Sequence, residues 1–382
     1  MKVIFSKSEL IEALTPALGA ISPKRENSIL ECLKIKADQS GVHIYSYDNE
    51  KGYNIDVNAE IVREGSCLVN AQRFYGMVRN MPSDITFECG DNMMAALTSG
   101  SLRYDIQYLD SKLYPNTPEI NARQSFTLTQ GQLKDIINQT SFAIGENNMR
   151  LQLNGAYFVV DNGYIRVVAL DGLRFAERYI EGDIVKDNLD VALDTEVRFI
   201  IPKKSLAEVV KLLEEPDEKI TVIKARRHVM FKVKNITFYT STIDGEYIEY
   251  SRFIPKNETT VTVANVSDIR ESLERALFIT EFKESGRMKS PVKLTFDGNI
   301  LAVSSVSSAD RFYDEIPVKT EGSELEIGFN CKMLLDTFRI LDCEKVKLKL
   351  TTPLSAMVIA PVDDNDKSFF YFTFPVKITE TF

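Results

Sequence analysis

Apolar and polar residues alternate along most of this chain in runs of four to nine residues, the period of a strand with one buried face. Leu102–Leu109, Lys219–Ala225, His228–Val233, Ile236–Ile243, Val346–Thr352, Ala356–Val362 and Phe369–Ile378 are the clearest such runs. At six places, two in each third, the period lengthens to that of a helix. Ser8–Ile21 aligns Leu10, Ile11, Leu14 and Leu18 behind a Ser8 cap, and Pro16 predicts a kink or an early end. Asn70–Met81 aligns Phe74, Met77, Val78 and Met81 behind Asn70. Thr129–Ile144, Pro202–Glu215, Val266–Thr280 and Asn330–Leu341 complete the set, with Pro202 suited to a first helical turn.

The strands also repeat. Ile35–Tyr53, Phe158–Phe175 and Leu294–Phe312 share one layout. An apolar strand ends at Asp38, Asp161 or Asp297, a glycine follows at 41, 163 or 298, and a second alternating strand begins. Asp48 and Asp171 lie equally far beyond their turn aspartates, and Ser307 holds that place in the third copy. Successive copies are roughly 125–135 residues apart, against the ~20–50 of a solenoid repeat, so the unit is domain-sized. Turn-forming residues cluster at Pro115–Ser125 and Phe253–Thr260. Three α+β domains are therefore expected, over 1–124, 125–254 and 255–382, each with helices on one face of antiparallel sheet.

Composition narrows the function. A hydrophobic content of 44% suits several packed cores, and no apolar run approaches the ~20 residues needed to span a bilayer. The amino terminus lacks a secretory apolar region, so a cytoplasmic protein without a membrane segment is expected. Cys32, Cys67, Cys89, Cys331 and Cys343 form no CxxC pair and read as buried free thiols. With His43 and His228 the only histidines, no metal set and no cofactor is expected. GxxxxGK, GxGxxG, HExxH and GxSxG are all missing, and the repeat aspartates sit at turns, where Asp bonds local backbone. No catalytic residue is assigned. The formal net charge of −9 argues against a nucleic-acid partner unless the cations are gathered on one surface.

Taken in order, a set of segments resembles the bacterial sliding clamp, the β subunit of the replicative DNA polymerase. They are MKVIF at the start, SILECLKI, YLDSKLYPN, LNG (Leu153–Gly155), ALDGLRFAE (Ala169–Glu177), STIDGEYIEYSRFIPKN (Ser241–Asn257), EIGFNCKMLLD (Glu326–Asp336) and FFYFTFPVKI. The resemblance covers the whole chain. It implies a non-catalytic processivity subunit of three tandem clamp domains. Two chains would close head to tail into a homodimeric ring of six domains, antiparallel sheets outside and two helices per domain inside, encircling duplex DNA.

A sliding tether must hold phosphates without reading bases, because base-edge contacts would make some sequences sticky. The helical segments supply Lys7, Arg73, Arg79, Lys134, Lys203, Lys204, Lys211, Arg270, Arg275, Lys332 and Arg339, and Lys24 and Arg25 follow the first helix. Glu9, Glu12, Glu208, Glu214, Glu271 and Glu274 share those helices, so each helix alone reads as a solvated face. Only their sixfold recurrence in a ring favours DNA.

Ring closure in the family implies contacts from Tyr104 and Ile106 in Leu102–Leu109, Arg73, and Phe278 and Ile279 of the last domain. The strand edge near Ser304–Asp310 is expected to pair across the interface. The family's peptide cleft, which takes the polymerase catalytic subunit, the clamp loader and other partners, implies Arg150, Leu153, Leu170, Gly172, Leu173, Arg174, Phe175, Ile248, Arg252, Phe253, Asn330, Met333, Leu354, Phe372, Phe374, Pro375, Val376, Lys377 and Ile378. Leu153, Leu170, Phe175 and Phe253 would line a pocket for leucine or phenylalanine anchors, with Arg150, Arg174 and Arg252 at its rim. Leu170, Leu173 and Ile248 stand where well-known members have Thr, His and Pro, which predicts a more apolar pocket. Phe282–Pro291 is longer than usual, and Thr379–Phe382 extends past the usual end. A peptide-binding adaptor with no DNA role is the alternative.

Overall fold

The computed structural model describes residues 1–21, 28–116, 124–182, 184–188, 196–280, 291–307 and 310–378. Lys24, Arg25, most of Phe282–Pro291 and the Thr379–Phe382 extension fall outside the described residues. Among the described residues the chain forms six α-helices: α1 Lys7–Ala17, α2 Ala71–Arg79, α3 Gln130–Ser141, α4 Lys203–Leu212, α5 Val266–Thr280 and α6 Cys331–Arg339. Each matches one of the six expected segments. α1 stops one residue past Pro16, which has no N–H to return to the Glu12 carbonyl, and a 3-10 turn (Leu18–Ala20) follows. Its N-cap is Ser6 rather than Ser8. Asn70 and Asn330 do cap α2 and α6, accepting from the N–H groups of Arg73 and Met333 at 3.1 Å. Thr129 and Gln132 exchange reciprocal bonds of 3.0 and 3.1 Å at the head of α3. Pro202 ends the preceding strand instead of opening α4.

The repeat is visible as geometry. Asp38 pairs with Gly41, Asp161 with Tyr164 and Asp297 with Ile300, so all three hairpins close on two-residue loops. Ten residues on, the second turn recurs as well. Asp48 Oδ1 accepts from the N–H groups of Glu50 and Lys51, and Asp171 Oδ1 from those of Leu173 and Arg174. Ser307 Oγ does the same for Asp310 N–H at 2.9 Å. The following position bends left-handed in the first two copies, at Asn49 (φ 76°) and Gly172 (φ 100°).

Contacts divide the chain into two compact units. The first comprises Met1–Leu133, Ile184–Val197 and Lys204–Thr242, and the second Lys134–Asp183, Arg198–Lys203 and Ile243–Phe382. The first holds a 14-stranded sheet in which the middle third's strand Ile236–Ser241 pairs antiparallel with Lys51–Val57. Tyr53 lies 4.8 Å from Phe238 across that seam, and Phe74 of α2 meets Phe87 edge-on at 5.3 Å. The second holds a nine-stranded and a four-stranded sheet, and there the middle third's Arg174–Glu181 pairs with Phe369–Thr373. The three sequence thirds are thus not the compact units. The middle third gives one group of strands to each neighbour, because a strand edge at a domain border gains by continuing its hydrogen bonding. α1 packs on α2 and α5 on α6, with α5 also covering Val292–Asp297, Ile300–Val306 and Arg311–Pro317.

Cys32, Cys67, Cys89 and Cys331 are buried, as expected, whereas Cys343 is only half-buried. No described helix is long and apolar enough to cross a membrane.

Candidate functional site

The strands Tyr164–Leu170, Arg174–Glu181 and Phe369–Thr373 build one apolar face in the second unit. Their register sets Leu170 opposite Phe175 and Phe175 opposite Phe372. Residues opposite each other share a face. The rings of Phe175 and Phe372 stack 4.6 Å apart within 4° of parallel. With Leu153, Val168, Leu170, Ala356 and Val358 they form a buried floor. Tyr157, Tyr247, Ile248, Tyr250, Ile254, Phe370 and Phe374 make a half-buried second layer. Tyr247 stacks on Tyr157 at 5.0 Å, and Tyr250 lies 5.0 Å from Phe175.

Leu173, Phe253, Leu354 and Val376, each within three residues along the chain of a residue of these two layers, are exposed, Leu354 to 85%. Of the four residues expected to line the pocket, Leu153, Leu170 and Phe175 are floor, and only Phe253 meets solvent freely.

The turn Asp171–Arg174 brings Leu173 out and turns Arg174 in. Arg174 is not a free rim residue: its side chain is only 13% exposed. Its guanidinium bonds Asp171 Oδ2 and Asp336 Oδ2, each at 3.0 Å, and lies 5.3 Å over the Phe142 ring. It clamps this turn to α6, and its charge is already paired. Arg150 and Arg252 are exposed as expected, with Arg252 ion-paired to Glu249. Gly172 leaves open space where a Cβ would be, so its left-handed φ is what favours glycine there.

The carboxy-terminal segment closes the site's edge. Phe374 N–H donates to Leu173 O and Val376 N–H to Gly328 O, both at 2.8 Å. A Cβ on Gly328 would fall 2.7 Å from Ile378 Cγ1, so glycine lets Pro375–Ile378 lie against the strand Leu325–Phe329. Pro375 and Ile378 are half-buried and Lys377 is exposed. Asn330 is committed to its cap, and half-buried Met333 offers its carbonyl to Arg174 at 3.4 Å.

The sequence reading missed Tyr250 and Glu177. Tyr250 Oη donates to Glu177 Oε2 at 3.1 Å. Burial raises the Glu177 carboxyl above the usual range, against the pull of Arg166 and of that hydrogen bond. Burial, then the Glu177 charge, pushes the Tyr250 hydroxyl up to about 12. A charged residue within an apolar alternation was the available signal.

The helix cations are mixed in state. Arg73, Arg79, Lys204 and Lys332 are exposed, while Lys134, Lys203 and Arg270 are half-buried. Lys203 bonds Glu146 at 2.7 Å, Arg275 bonds Asp314 and Glu271 at 2.6 and 3.1 Å, and Arg339 bonds Glu274 at 3.1 Å.

The residues expected at a dimer interface also divide. Ile106 is 5% exposed and belongs to the core of the first unit, while Tyr104 is half-buried and Arg73 exposed. Leu102–Gln107 pairs on one side with Met94–Ser99, and the other neighbour, Gly65–Asn70, reaches only Tyr108 and Leu109. Phe278 is 81% exposed and Ile279 half-buried. The expected edge at Ser304–Asp310 is corrected. Ser304, Ser305 and Val306 already pair with Tyr313, Phe312 and Arg311, so the terminal strand is Arg311–Pro317, with Tyr313 65% exposed.

One array has the spacing of a nucleophilic triad, contrary to expectation. Ser40 Oγ lies 2.9 Å from His43 Nε2, and His43 Nδ1 lies 2.6 Å from Asp56 Oδ1. The Ser40 hydroxyl, however, donates its proton to Asp38 Oδ1, so it offers His43 a lone pair and not a proton to abstract. It is a tied hairpin loop and supplies no nucleophile.

Three family models match the chain: DNA polymerase III beta subunit N-terminal domain over residues 1–118, central domain over 127–249 and C-terminal domain over 251–376. A curated beta sliding clamp of Halalkalibacterium halodurans is 27% identical, covering 99% of this chain and 100% of that protein. The crystal structure of the Bacillus subtilis DNA polymerase sliding clamp superposes with a TM-score of 0.90 at 26% identity, covering 99% of this chain and 100% of that one. A putative DNA polymerase III beta subunit from Eubacterium rectale gives 0.91 at 25% identity over the same shares.

Proposed function

The chain belongs to the DNA polymerase III beta subunit family, the sliding clamps, and on that premise we propose that it is a non-catalytic processivity clamp of the cytoplasm. Two copies close head to tail around duplex DNA, with domains over 1–124, 125–254 and 255–382. The second unit's apolar face takes short peptides from the polymerase catalytic subunit, the clamp loader and other replication proteins. The observation that carries the reading is the stacked Phe175–Phe372 floor, flanked along the chain by exposed Leu173, Phe253, Leu354 and Val376, on a chain that resembles clamps from end to end.

Ring closure has its own support. Among the described residues, one side of the strand Arg311–Pro317 and one side of Leu102–Gln107 carry no strand pairing, one in each unit, and such edges suit a partner strand. Exposed Phe278 supplies apolar area for such a junction. DNA is held by surrounding it. Lys24, Arg25, Arg73, Arg79, Lys134, Lys203, Lys204, Arg270, Arg275 and Lys332 meet phosphates without reading bases, and each neutralised phosphate adds about −0.9 to the salt slope. Partial pairing of these cations with Glu146, Glu271 and Asp314 suits a diffuse, sliding contact.

The test is topological. Protein loaded onto nicked circular duplex by its clamp loader is expected to stay bound through gel filtration and to be lost once the circle is cut. Equal retention on circular and linear DNA would refute encirclement.

A further inference from the structure

The apolar face of the cleft continues, in register, into charge. Leu170 and Phe175 pair, then Val168 and Glu177, then Arg166 and Tyr179, so Glu177 and Arg166 lie on the same face as the floor, diagonal to each other. Phe370 flanks Glu177 from the next strand. Over these residues passes the chain from Ile243, whose N–H bonds Ile200 O, to Thr259, whose N–H bonds Leu350 O. Along it one 3-10 turn, Tyr250–Phe253, carries Tyr250 inward and Arg252 and Phe253 outward. Tyr250 reaches one of the two strand charges: its hydroxyl donates to Glu177 Oε2 at 3.1 Å, while the Arg166 guanidinium lies 5.7 Å over the Tyr179 ring. Its ring rests 5.0 Å from Phe175.

A half-buried carboxyl is a poor way to gain stability, since desolvation offsets most of what its hydrogen bond returns. It is a good way to fix geometry, because a hydroxyl bonded to an acceptor on a rigid sheet has one favourable position. We infer that the Tyr250–Glu177 hydrogen bond is a positioning contact that pins the Tyr250–Phe253 turn to the sheet and so presents Phe253 and Arg252 to partner peptides. Neither Tyr250 nor Glu177 needs to touch the peptide. The inference rests on the cleft reading for its purpose, but the pinning itself does not.

Three variants separate positioning from mere packing. Tyr250→Phe removes the hydroxyl and keeps the ring on Phe175, Glu177→Ala removes the acceptor, and Glu177→Gln keeps an acceptor oxygen without the charge. The probe is a fluorescein-labelled pentapeptide with leucine and phenylalanine anchors, titrated into the full-length protein. Tyr250→Phe and Glu177→Ala are each expected to weaken binding by about three- to tenfold, with the double variant no worse than either, while Glu177→Gln stays within about twofold. In the free proteins, amide exchange across Tyr250–Phe253 should quicken in Tyr250→Phe and Glu177→Ala and be restored in Glu177→Gln. Unchanged exchange in Tyr250→Phe would overturn the pinning whatever the peptide does. Faster exchange with no peptide bound by the wild type would instead sink the cleft reading and leave the pinning standing. Faster exchange with wild-type affinity throughout would show that the turn does not present the peptide contacts.

Discussion

Glu177 is the residue where charge and burial conflict most directly. Its carboxyl is raised because burial penalises the anion more than Arg166 and Tyr250 favour it. The folded state therefore holds this proton more tightly than the unfolded chain does. The sign follows: Glu177 contributes stability that is full below the ordinary carboxylate value and is lost as pH rises through its own higher value. Comparing wild type with Glu177→Gln by urea midpoint across pH about 4 to 7 should reveal a gap that widens in the variant's favour with rising pH and then levels. A gap that narrowed with rising pH would show that Arg166 dominates instead. Arg174 shows the opposite outcome of burial. Two carboxylates and the Phe142 ring surround it, so a residue that the family pattern places at a rim serves here to lock a turn.

At the scale of elements, the turns and the Asn70 cap were legible because their chemistry is local, whereas the first helix is capped at Ser6 and not at the expected Ser8. Asn70, Thr129 and Asn330 sit at helix starts where a side-chain oxygen can meet a free N–H, and each does so. Asp48, Asp171 and Ser307 close the same turn three times over because Asp and Ser reach backbone N–H groups two or three residues on. Asn330→Ala removes the α6 cap close to Met333 and Asp336. It should cost about 1 kcal/mol of stability in chemical denaturation, while peptide affinity changes by less than about twofold. A larger loss of affinity would mean that Asn330 touches the peptide. The edge at Ser304–Asp310 was misplaced for an equally physical reason. Alternation identifies strands but not their neighbours, and the hairpin after Val306 hides Ile300–Val306 behind Arg311–Pro317.

For the whole molecule, the informative residues are those that one chain leaves uncovered. Phe278 is 81% exposed on α5, a helix that packs on the terminal strand Arg311–Pro317. If ring closure buries it, Phe278→Asp should convert a micromolar dimer to monomer by sedimentation velocity. Monomer stability should shift by no more than about 0.5 kcal/mol, since the change is at the surface of a single chain. A dimer that survives the substitution would move the junction elsewhere. The middle third's split between the two compact units is the other property at this scale. The seams Lys51–Val57 with Ile236–Ser241 and Arg174–Glu181 with Phe369–Thr373 carry the ladder across the sequence borders.

By itself the sequence determined the alternation and its six helical interruptions, the threefold turn pattern and the family, since all depend on residues near one another or on order along the chain. Tertiary structure alone decided which strand is terminal, that Ile106 is core, that Arg174 is clamped, and that Tyr250 bonds Glu177. Those outcomes join residues up to 162 positions apart, as Arg174 and Asp336 are. The reason is that period and propensity fix which face of an element is apolar, whereas the partner of that face is chosen by packing, and packing is known only once the chain has folded.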